Sequence, residues 1–526
     1  FGSRWLKGHN LNSLLPEMLR ACRLWALVSF WTSQAASEKC SPRRGAEGAL
    51  LLQLGRSKER LKSRDADVST YLFQWPYDSV AEECEKVLGP AGYRAVCVDP
   101  PMEHLPGEEW YWRYQPVSYG LNSRGGNETK FRSMVDRCHG AGVEVYVDVL
   151  LNHMAAARRR RAVGIAGTEF SYRNFSGLYS PEEFHHDTGN LLSNCRLDSV
   201  ASRHVLQDCD LLGLPDLNTA LPSVQAKQTS FLQMLSDVGV DGMRVDAARH
   251  MPWSDLAAIM TPVTGNLKLA MHEAVHEERL GDPVPLSEYF RVAPGGGESR
   301  MLEFQGALEV GKAFRSGDLR SLPNLGDGRF VPSVHALTFT DNHDIQRHAW
   351  SIRRGKCSGC NGTAGCYGTG CIHYAEHALF FEDGPLHTLA NAYLLALPYG
   401  YPCIMSSYNF SSTGEGPPSN EPCGGRWICE HRQAALLGMV RFRRSTAAAS
   451  LQNFVISPNG HVVAFSREGL GYFALNIGKE WTRLGVQTSL PAGSYPNLID
   501  DRQVHVNTFG FADLYIPPLS ILAILR

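Results

Sequence analysis

The chain has 526 residues, too many for one small domain and enough for a barrel of about 250 residues beside further domains. Its 51 Lys and Arg residues nearly balance 53 Asp and Glu residues, for a formal net charge of -2. This balance argues against nucleic acid or an anionic membrane as a partner, so we expect a neutral substrate.

The N-terminal region has the composition of a targeting segment. Residues 18–36 contain two arginines, an apolar run and then small residues, the layout of a secretory signal peptide. A buried hydrophobic helix is the alternative, and the apolar run is less than half the ~20 residues that a membrane span needs. We therefore expect translation to start at Met18, residues 1–17 to lie outside the mature protein, and residues 37–66 to form a flexible leader.

Cysteine content and glycosylation sequons also favour secretion. The chain has 14 cysteines, many for a cytosolic enzyme. Four sequons begin at Asn127, Asn174, Asn361 and Asn409. We expect an extracellular protein.

From residue 67 onward, short β-branched runs alternate with amphipathic helical stretches, a pattern typical of a parallel sheet with helical crossovers. The predicted strands are 70–73, 93–98, 143–150, 242–245, 267–271, 301–304, 336–340 and 401–405. Two intervening helices are expected to stop at Gly140 and Gly239. Eight such strands predict an α/β fold, a (β/α)8 TIM barrel formed by residues 67–153 and 222–440.

Two further domains are expected. The interruption after the third strand, residues 154–221, is too long for a plain loop and predicts a small inserted domain. Residues 441–526 change to alternating strands with turn signals, which predict a C-terminal antiparallel β-sandwich.

Polar side chains follow several predicted strands. They are Asn152 and His153 after the third, Arg244, Asp246 and His250 on or after the fourth, Glu273 after the fifth, and Asn342, His343 and Asp344 after the seventh. Any one of them could be a helix cap or loop residue. The carboxyl ends of barrel strands meet at one rim, where active sites form, so together they predict a catalytic site.

Three acids at one rim suit glycoside hydrolysis, which needs a nucleophile and a proton donor. Asp246 lies beside the cationic Arg244 and is the better nucleophile. Glu273 has apolar neighbours in sequence, which favour a protonated acid.

Five segments allow a family resemblance to be named: WYWRYQPVSYGLNSRGGNETKF, VEVYVDVLLNHM, GMRVDAARHM, FTDNHDIQR and GRWICEHR. In collinear order they resemble the animal-type α-amylases of glycoside hydrolase family 13. The resemblance implies endohydrolysis of α-1,4-glucosidic bonds in starch or glycogen, with retention of configuration. It implies Asp246 as nucleophile, Glu273 as general acid/base and Asp344 as the acid that holds substrate hydroxyls.

The same resemblance implies further ligand sites. Expected substrate-binding residues are Trp110, Tyr111, Tyr114, Gln115, His153, Arg244, Arg249, His250 and His343. Expected Ca2+ ligands are Asn152, Asp216, the backbone carbonyl of His250 and the carbonyl near Gln207, although Gln207 replaces a frequent arginine. Such an ion would pin the inserted domain to the barrel. The chloride site of many animal members maps onto Arg244 and Asn342, but Cys403 replaces the second arginine, so we expect activity largely independent of chloride.

The resemblance also implies the disulfides Cys84–Cys138, Cys195–Cys209 and Cys423–Cys429. Two features depart from the family. The cluster Cys357, Cys360, Cys366 and Cys371 could hold zinc or close two small disulfide loops, and the secretory context favours disulfides. The four arginines at 158–161 are expected in a solvated loop, with proteolytic processing as the alternative.

We expect a monomeric enzyme acting on an α-glucan polysaccharide. Two other hypotheses remain: a catalytically impaired glycan-binding homologue, or another family 13 enzyme such as an α-glucosidase or glucan transferase. The presence of all three acids argues against the former, and the cleft and WICEHR motifs argue against the latter.

Overall fold

The structure, a computed structural model, describes residues 67–156, 161–187, 189–197, 202–275, 282–355, 375 and 377–526. The predicted signal peptide and leader, Asn361, the cysteine cluster at 357–371 and the arginines at 158–160 lie outside the described residues. Arg161 is exposed and forms an ion pair with Glu169.

The centre of the protein is a closed barrel of eight parallel strands. We label them β1 Ser69–Leu72, β2 Ala95–Val98, β3 Glu144–Val149, β4 Gly242–Val245, β5 Leu269–His272, β6 Glu298–Leu302, β7 Ala336–Thr338 and β8 Tyr401–Ser406. Each strand pairs with its neighbours in sequence, and β8 pairs with β1 to close the sheet. The predicted fold class is confirmed.

Helices connect the strands on the outside of the barrel. The barrel helices are α1 Tyr77–Glu83, α2 Glu128–Gly140, α3 Pro222–Val238, α4 Trp253–Met260, α5 Phe304–Ser316, α6 His343–Arg353, α7 Pro385–Ala396 and α8 Ala434–Thr446. A π-helical segment, Cys84–Leu88, and the short helix Gly89–Ala91 continue α1. The described chain between β5 and β6 contains only the short 3-10 helices Leu286–Tyr289 and Pro294–Gly296.

Both predicted helix stops are confirmed, and one predicted strand boundary needs correction. Gly239 caps α3 in the left-handed conformation, with φ of 107°, and α2 ends at Gly140. Strand β6 begins at Glu298, three residues before the prediction, because Ser299 and Arg300 are buried despite their polarity. Their polar groups find partners inside the protein: Ser299 Oγ donates to the Tyr289 carbonyl at 2.7 Å.

The predicted insertion follows β3. It contains a three-stranded antiparallel sheet, Ala162–Val163, Glu169–Ser171 and Asn174–Phe175, and the short helix Arg203–Asp208. Backbone hydrogen bonds such as Leu217 N to the Asn152 carbonyl, at 2.9 Å, connect its last part to the end of β3. The inserted segment therefore borders the carboxyl rim of the barrel.

The C-terminal region forms two four-stranded antiparallel sheets. The first contains Leu451–Ile456, Val462–Arg467, Gly471–Asn476 and Ser520–Leu525, and the second contains Thr482–Gln487, Gly493–Pro496, Gln503–Val506 and Phe511–Ile516. Side chains from both sheets share one buried cluster, as expected for a sandwich. Arg467 Nη1 donates to the Ala396 carbonyl at 2.8 Å and thereby attaches the sandwich to the end of α7.

Within the described residues, disulfides join Cys84 to Cys138, Cys195 to Cys209 and Cys423 to Cys429, which confirms the three predicted pairs. The asparagines of three sequons, Asn127, Asn174 and Asn409, are exposed. Within the described ranges, no helix combines the length and apolar character that crossing a membrane requires.

Candidate active site

Two of the predicted acids lie next to each other because they follow neighbouring strands. Asp246 comes directly after β4 and Glu273 directly after β5. Backbone hydrogen bonds from Asp246 N to the Val149 carbonyl and from Glu273 N to the Val245 carbonyl, both 3.0 Å, extend the barrel pairing to these residues. Both carboxyl groups contact the same arginine, Arg244. Glu273 Oε2 also accepts from Ala247 N at 3.0 Å.

Arg244 lies at the centre of the acid cluster. Its Nη1 is 2.5 Å from Asp148 Oδ2 and 3.1 Å from Asp246 Oδ1, and its Nη2 is 2.8 Å from Glu273 Oε1. Contrary to the expectation from the sequence, Arg244 therefore does not distinguish the nucleophile from the proton donor, because its guanidinium contacts both acids.

Asp148 is a member of the cluster that the sequence analysis missed. It lies on β3 opposite Arg244 of β4, is fully buried, and accepts from Tyr114 Oη at 3.0 Å. Tyr114 Oη in turn lies 2.9 Å from Tyr71 Oη, which donates to Asp99 at 3.1 Å. A lone carboxylate within the apolar run VYVDVLL was the available signal.

Electrostatics favour retention of protons in this cluster. Burial raises the pKa of Asp246 and of Glu273, and the nearby Arg244 cation opposes both shifts. Burial also raises the pKa of Asp344, with a further contribution from the charge of Glu273. One guanidinium beside several carboxyl groups does not compensate all their charges, so a protonated acid beside an ionised one is the favoured state.

Asp344 reaches the site from the first turn of α6, which Asn342 caps by accepting from Ile345 N at 2.8 Å. His343 Nε2 lies 3.4 Å from Asp344 Oδ2. Burial keeps the pKa of His343 well below its ordinary value, so the ring is neutral. The side chains of Asp246, Glu273 and Asp344 all remain partly exposed, which leaves them accessible to a substrate.

Aromatic rings surround His343. Its ring stacks on Phe73 at 4.7 Å and contacts Trp110 at 5.1 Å and Tyr114 at 5.3 Å. Behind them, the Arg347 guanidinium lies 4.9 Å from the Phe73 ring centre and 4.8 Å from that of Trp110. Arg347 also donates to the His343 carbonyl at 2.9 Å, so it holds His343 and the surrounding rings in place from the buried side.

Of the other predicted substrate residues, Tyr111, Gln115 and His153 lie near Trp110 and Tyr114, whereas Arg249 forms a separate interaction. Tyr111 is exposed beside Trp110, and Gln115 accepts from Ala156 N of the inserted segment at 3.2 Å. His153 is buried against the Tyr114 carbonyl at 3.1 Å, and burial lowers its pKa to about 4. Arg249 instead is buried in an ion pair with Asp282 at 2.8 Å, an interaction separate from the acid cluster.

The predicted calcium residues lie at the junction of the inserted segment and the barrel. Asp216 accepts from Asn152 Nδ2 at 3.0 Å and lies 2.6 Å from His185 Nδ1. Gln207 Nε2 donates to the Arg249 carbonyl at 3.3 Å, and His250 Nδ1 lies 2.9 Å from the Leu206 carbonyl.

These residues fit a hard cation. Asn152 Oδ1 is buried without a hydrogen-bond donor among the described residues, beside the buried Asp216 carboxylate. Such oxygen donors suit Ca2+. Within the same described ranges no group of three or more His, Cys, Asp or Glu residues forms a metal cluster, so backbone carbonyls would have to complete this set.

The predicted chloride residues line one cavity of about 40 Å³ inside the barrel. Asn342 Nδ2 points to no acceptor in the described part of the chain, but Arg244 is already paired with carboxylates. Burial raises the pKa of Cys403 to about 12, so its thiol is neutral and supplies no positive charge. The donor set is poor for an anion.

A (β/α)8 barrel with clustered carboxyl groups and an aromatic wall at its carboxyl rim belongs to the class of glycoside hydrolases. Comparisons with known proteins agree. The model of the α-amylase catalytic domain matches residues 92–276. An α-amylase of Streptomyces violaceus is 35% identical over 453 residues, which cover 85% of this chain and 71% of that protein.

Two further comparisons extend the match. An α-amylase-related protein of Drosophila pseudoobscura pseudoobscura is 34% identical over 459 residues, 82% of this chain and 84% of that protein. A mutant of α-amylase I from Eisenia fetida, solved in complex with maltohexaose, is 29% identical and superimposes with a TM-score of 0.76, over 88% of this chain and 97% of that chain. The chain belongs to the α-amylase family, glycoside hydrolase family 13.

Proposed function

We propose that the protein is an α-amylase that hydrolyses internal α-1,4-glucosidic bonds of starch and glycogen with retention of configuration. The observation that carries this proposal is the contact of both Asp246 and Glu273 with the one guanidinium of Arg244, at 3.1 and 2.8 Å, which holds the two carboxyl groups close together at the barrel rim. Retaining glycosidases place their two carboxyl groups close together, whereas inverting enzymes leave room for a water between them.

In the proposed mechanism the ionised Asp246 carboxylate attacks the anomeric carbon, while the protonated Glu273 carboxyl donates its proton to the glycosidic oxygen and releases the leaving chain. Glu273 then removes a proton from water, and that water displaces Asp246 from the sugar. Asp344 and His343 hold hydroxyl groups of the distorted sugar. Their contact at 3.4 Å and the partial exposure of Asp344 support a joint role.

The α-glucan would lie along the aromatic wall formed by Trp110, Tyr111 and Tyr114. Aromatic rings favour the apolar faces of sugars because both surfaces lose contact with water. The Eisenia fetida α-amylase I was solved with maltohexaose, which supports a linear α-glucan as the ligand.

We further propose Ca2+ as a structural cofactor, held by Asn152, Asp216 and the backbone carbonyls of Gln207 and His250. When bound, the ion would supply an electrostatic link between the inserted segment and the barrel. The insertion also contacts the aromatic wall directly, because Ala156 N of the insertion donates to Gln115, the residue after Tyr114. Loosening the insertion would therefore disturb one side of the cleft.

Secretion as a monomer is part of the proposal. The three disulfides support an oxidising compartment, and the exposed sequon asparagines support passage through the secretory pathway. Chloride dependence is expected to be weak because Cys403 is neutral.

The test is hydrolysis of soluble dye-linked starch by the secreted protein, with and without a calcium chelator. Wild-type activity should require calcium, and Asp246→Asn should abolish it. Asp237→Asn is the matched control, because this exposed carboxylate on α3 contacts Gln233 and lies outside the cluster. A product first released as the α-anomer would support retention, and a fall in viscosity ahead of reducing-end release would support internal cleavage.

Each contrary result points to another function. No hydrolysis by folded protein that still binds glycogen would favour a glycan-binding homologue. Release of single glucose units would favour an α-glucosidase, and longer products would favour a glucan transferase. Full activity of Asp246→Asn would overturn the assignment of the nucleophile.

A further inference from the structure

Four aromatic side chains are exposed on one sheet of the C-terminal sandwich. The exposed fractions are 63% for Trp481, 83% for Phe509, 42% for Phe511 and 57% for Tyr515. We call these four residues the aromatic face. Exposed apolar groups of this size on a folded domain usually mark an interaction site.

The strand register places Phe511 and Tyr515 on one side of the sheet. Strand Thr482–Gln487 pairs with Phe511–Ile516, with Arg483 opposite Tyr515 and Gln487 opposite Phe511. Exposure alternates along Phe511–Ile516, so Phe511 and Tyr515 point outward together. At about 3.3 Å per residue the two are roughly 13 Å apart along the strand. Trp481 directly precedes the paired strand and shares the outer side with Arg483.

Two features hold the rings in place as platforms. A Cβ on Gly485 would lie 3.1 Å from the Phe511 ring, so the glycine lets this ring lie close against the neighbouring strand. Asn507 Oδ1 accepts from the backbone N–H groups of Phe509 and Phe511, both at 2.9 Å, and thereby fixes the turn that presents Phe509. Fixed rings lose little conformational entropy on binding a ligand.

The charge of the face fits a neutral ligand. Arg483 pairs with Asp513 through Nε and Oδ2 at 2.9 Å and lies over the Tyr515 ring at 5.5 Å. These opposite charges neutralise each other within the face. Nucleic acid or an anionic membrane would need an excess of cations, whereas a sugar polymer offers neutral apolar faces and hydroxyl groups that match rings and a polar pair.

We propose that the aromatic face is a second carbohydrate site that binds α-glucan chains on the C-terminal domain, apart from the cleft. The choice of α-glucan rests on the proposed function. Attachment through this face would keep the enzyme on an insoluble or branched polymer while the cleft engages successive chains.

The experiment measures adsorption to granular starch in the cold, together with kcat/KM on soluble maltoheptaose. A double variant, Trp481→Ala with Tyr515→Ala, should adsorb about 30-fold more weakly, because two stacking contacts of roughly 1 kcal/mol each are lost. Its kcat/KM on maltoheptaose should equal that of the wild type. Replacing both residues by Phe keeps the rings and should retain most of the adsorption.

Phe454→Ala is the matched control, because this exposed ring lies on the other sheet of the same domain and stacks on Phe465. Its adsorption should be unchanged, and cellulose powder should retain none of the proteins. Adsorption of the double variant equal to wild type would overturn the inference. A change in its sedimentation coefficient would also overturn it, in favour of contact between copies of the chain.

The two proposals fail in distinguishable ways. Wild-type protein that adsorbs through the aromatic face but hydrolyses no starch would overturn the proposed activity alone. Normal hydrolysis with adsorption that is insensitive to the double variant would overturn the carbohydrate site alone.

Discussion

Arg244 is the residue whose removal tests the electrostatics of the site most directly. Its guanidinium contacts Asp148, Asp246 and Glu273 at distances between 2.5 and 3.1 Å. The change Arg244→Gln removes the cation and leaves the acids in place. Because the cation lowers the pKa of both Asp246 and Glu273, its loss should raise both.

The size of the effect follows from this geometry. A neighbouring opposite charge shifts a carboxyl pKa by about 1 to 3 units, and here one cation is shared among several acids, so we expect about 1 to 2 units each. The proposed mechanism needs Asp246 ionised and Glu273 protonated. Raising the pKa of Asp246 moves the acidic limb of the activity profile to higher pH, and raising that of Glu273 moves the alkaline limb the same way. The whole bell-shaped activity profile should therefore shift toward alkaline pH. The maximum rate should fall by up to about 100-fold.

The assay is kcat/KM for a chromogenic maltooligosaccharide across the acidic and alkaline limbs. Breaking a buried ion pair costs about 3–5 kcal/mol of stability, so thermal unfolding of each variant must be followed at every pH used. Arg244→Lys is the conservative comparison. It keeps one positive charge but lacks the forked geometry that reaches three acids, and it should shift the profile less.

An unchanged pH optimum in folded Arg244→Gln would refute the reasoning. A shift toward acidic pH would refute it too, since that would mean the cation raises the pKa of the proton donor. Equal profiles for the Gln and Lys variants would show that geometry, and not charge, determines the role of Arg244.

Three other predictions follow. Adding chloride to dialysed enzyme should leave its activity nearly unchanged, and a rise of several-fold would contradict the poor donor set around Cys403. Burial raises the pKa of Glu430 to about 7 from an ordinary 4.5, so the folded protein favours the protonated carboxyl. This contribution to stability is fully present below pH 4.5 and is lost as the pH rises from 4.5 through 7. Glu430→Gln should therefore gain stability relative to wild type between pH 5 and 8, by up to about 3 kcal/mol in chemical denaturation, and a constant difference across that window would refute the assignment. Arg347→Met should raise KM for maltoheptaose about fivefold with a smaller change in kcat, because the aromatic wall loses its cation. Arg353 lies on the same helix as Arg347, and its guanidinium is 4.3 Å from the Phe380 ring centre, so Arg353→Met removes a similar cation–ring contact outside the wall and should lower the melting temperature without this KM effect.

The sequence alone determined the barrel, the order of its strands and the positions of Asp246, Glu273 and Asp344 relative to strand ends. These features follow from local patterns: apolar runs with helical crossovers specify a parallel barrel, and residues after such strands reach one rim. The disulfide pairs were also predictable, from the family resemblance.

Only the tertiary structure decided which groups touch. Arg244 is two residues from Asp246 in sequence, yet it also contacts Asp148 and Glu273 because β3, β4 and β5 are neighbours. Ser299 and Arg300 looked too polar for a strand, but Ser299 donates to Tyr289 in the preceding loop and Arg300 reaches the Ala336 carbonyl on the neighbouring strand β7. The aromatic face likewise depends on strand register, which places Phe511 over Gly485 and Tyr515 opposite Arg483. Local periodicity determines which side of a helix or strand is buried. Pairing between distant segments determines which residues that side contacts, and such contacts leave no local pattern in the sequence.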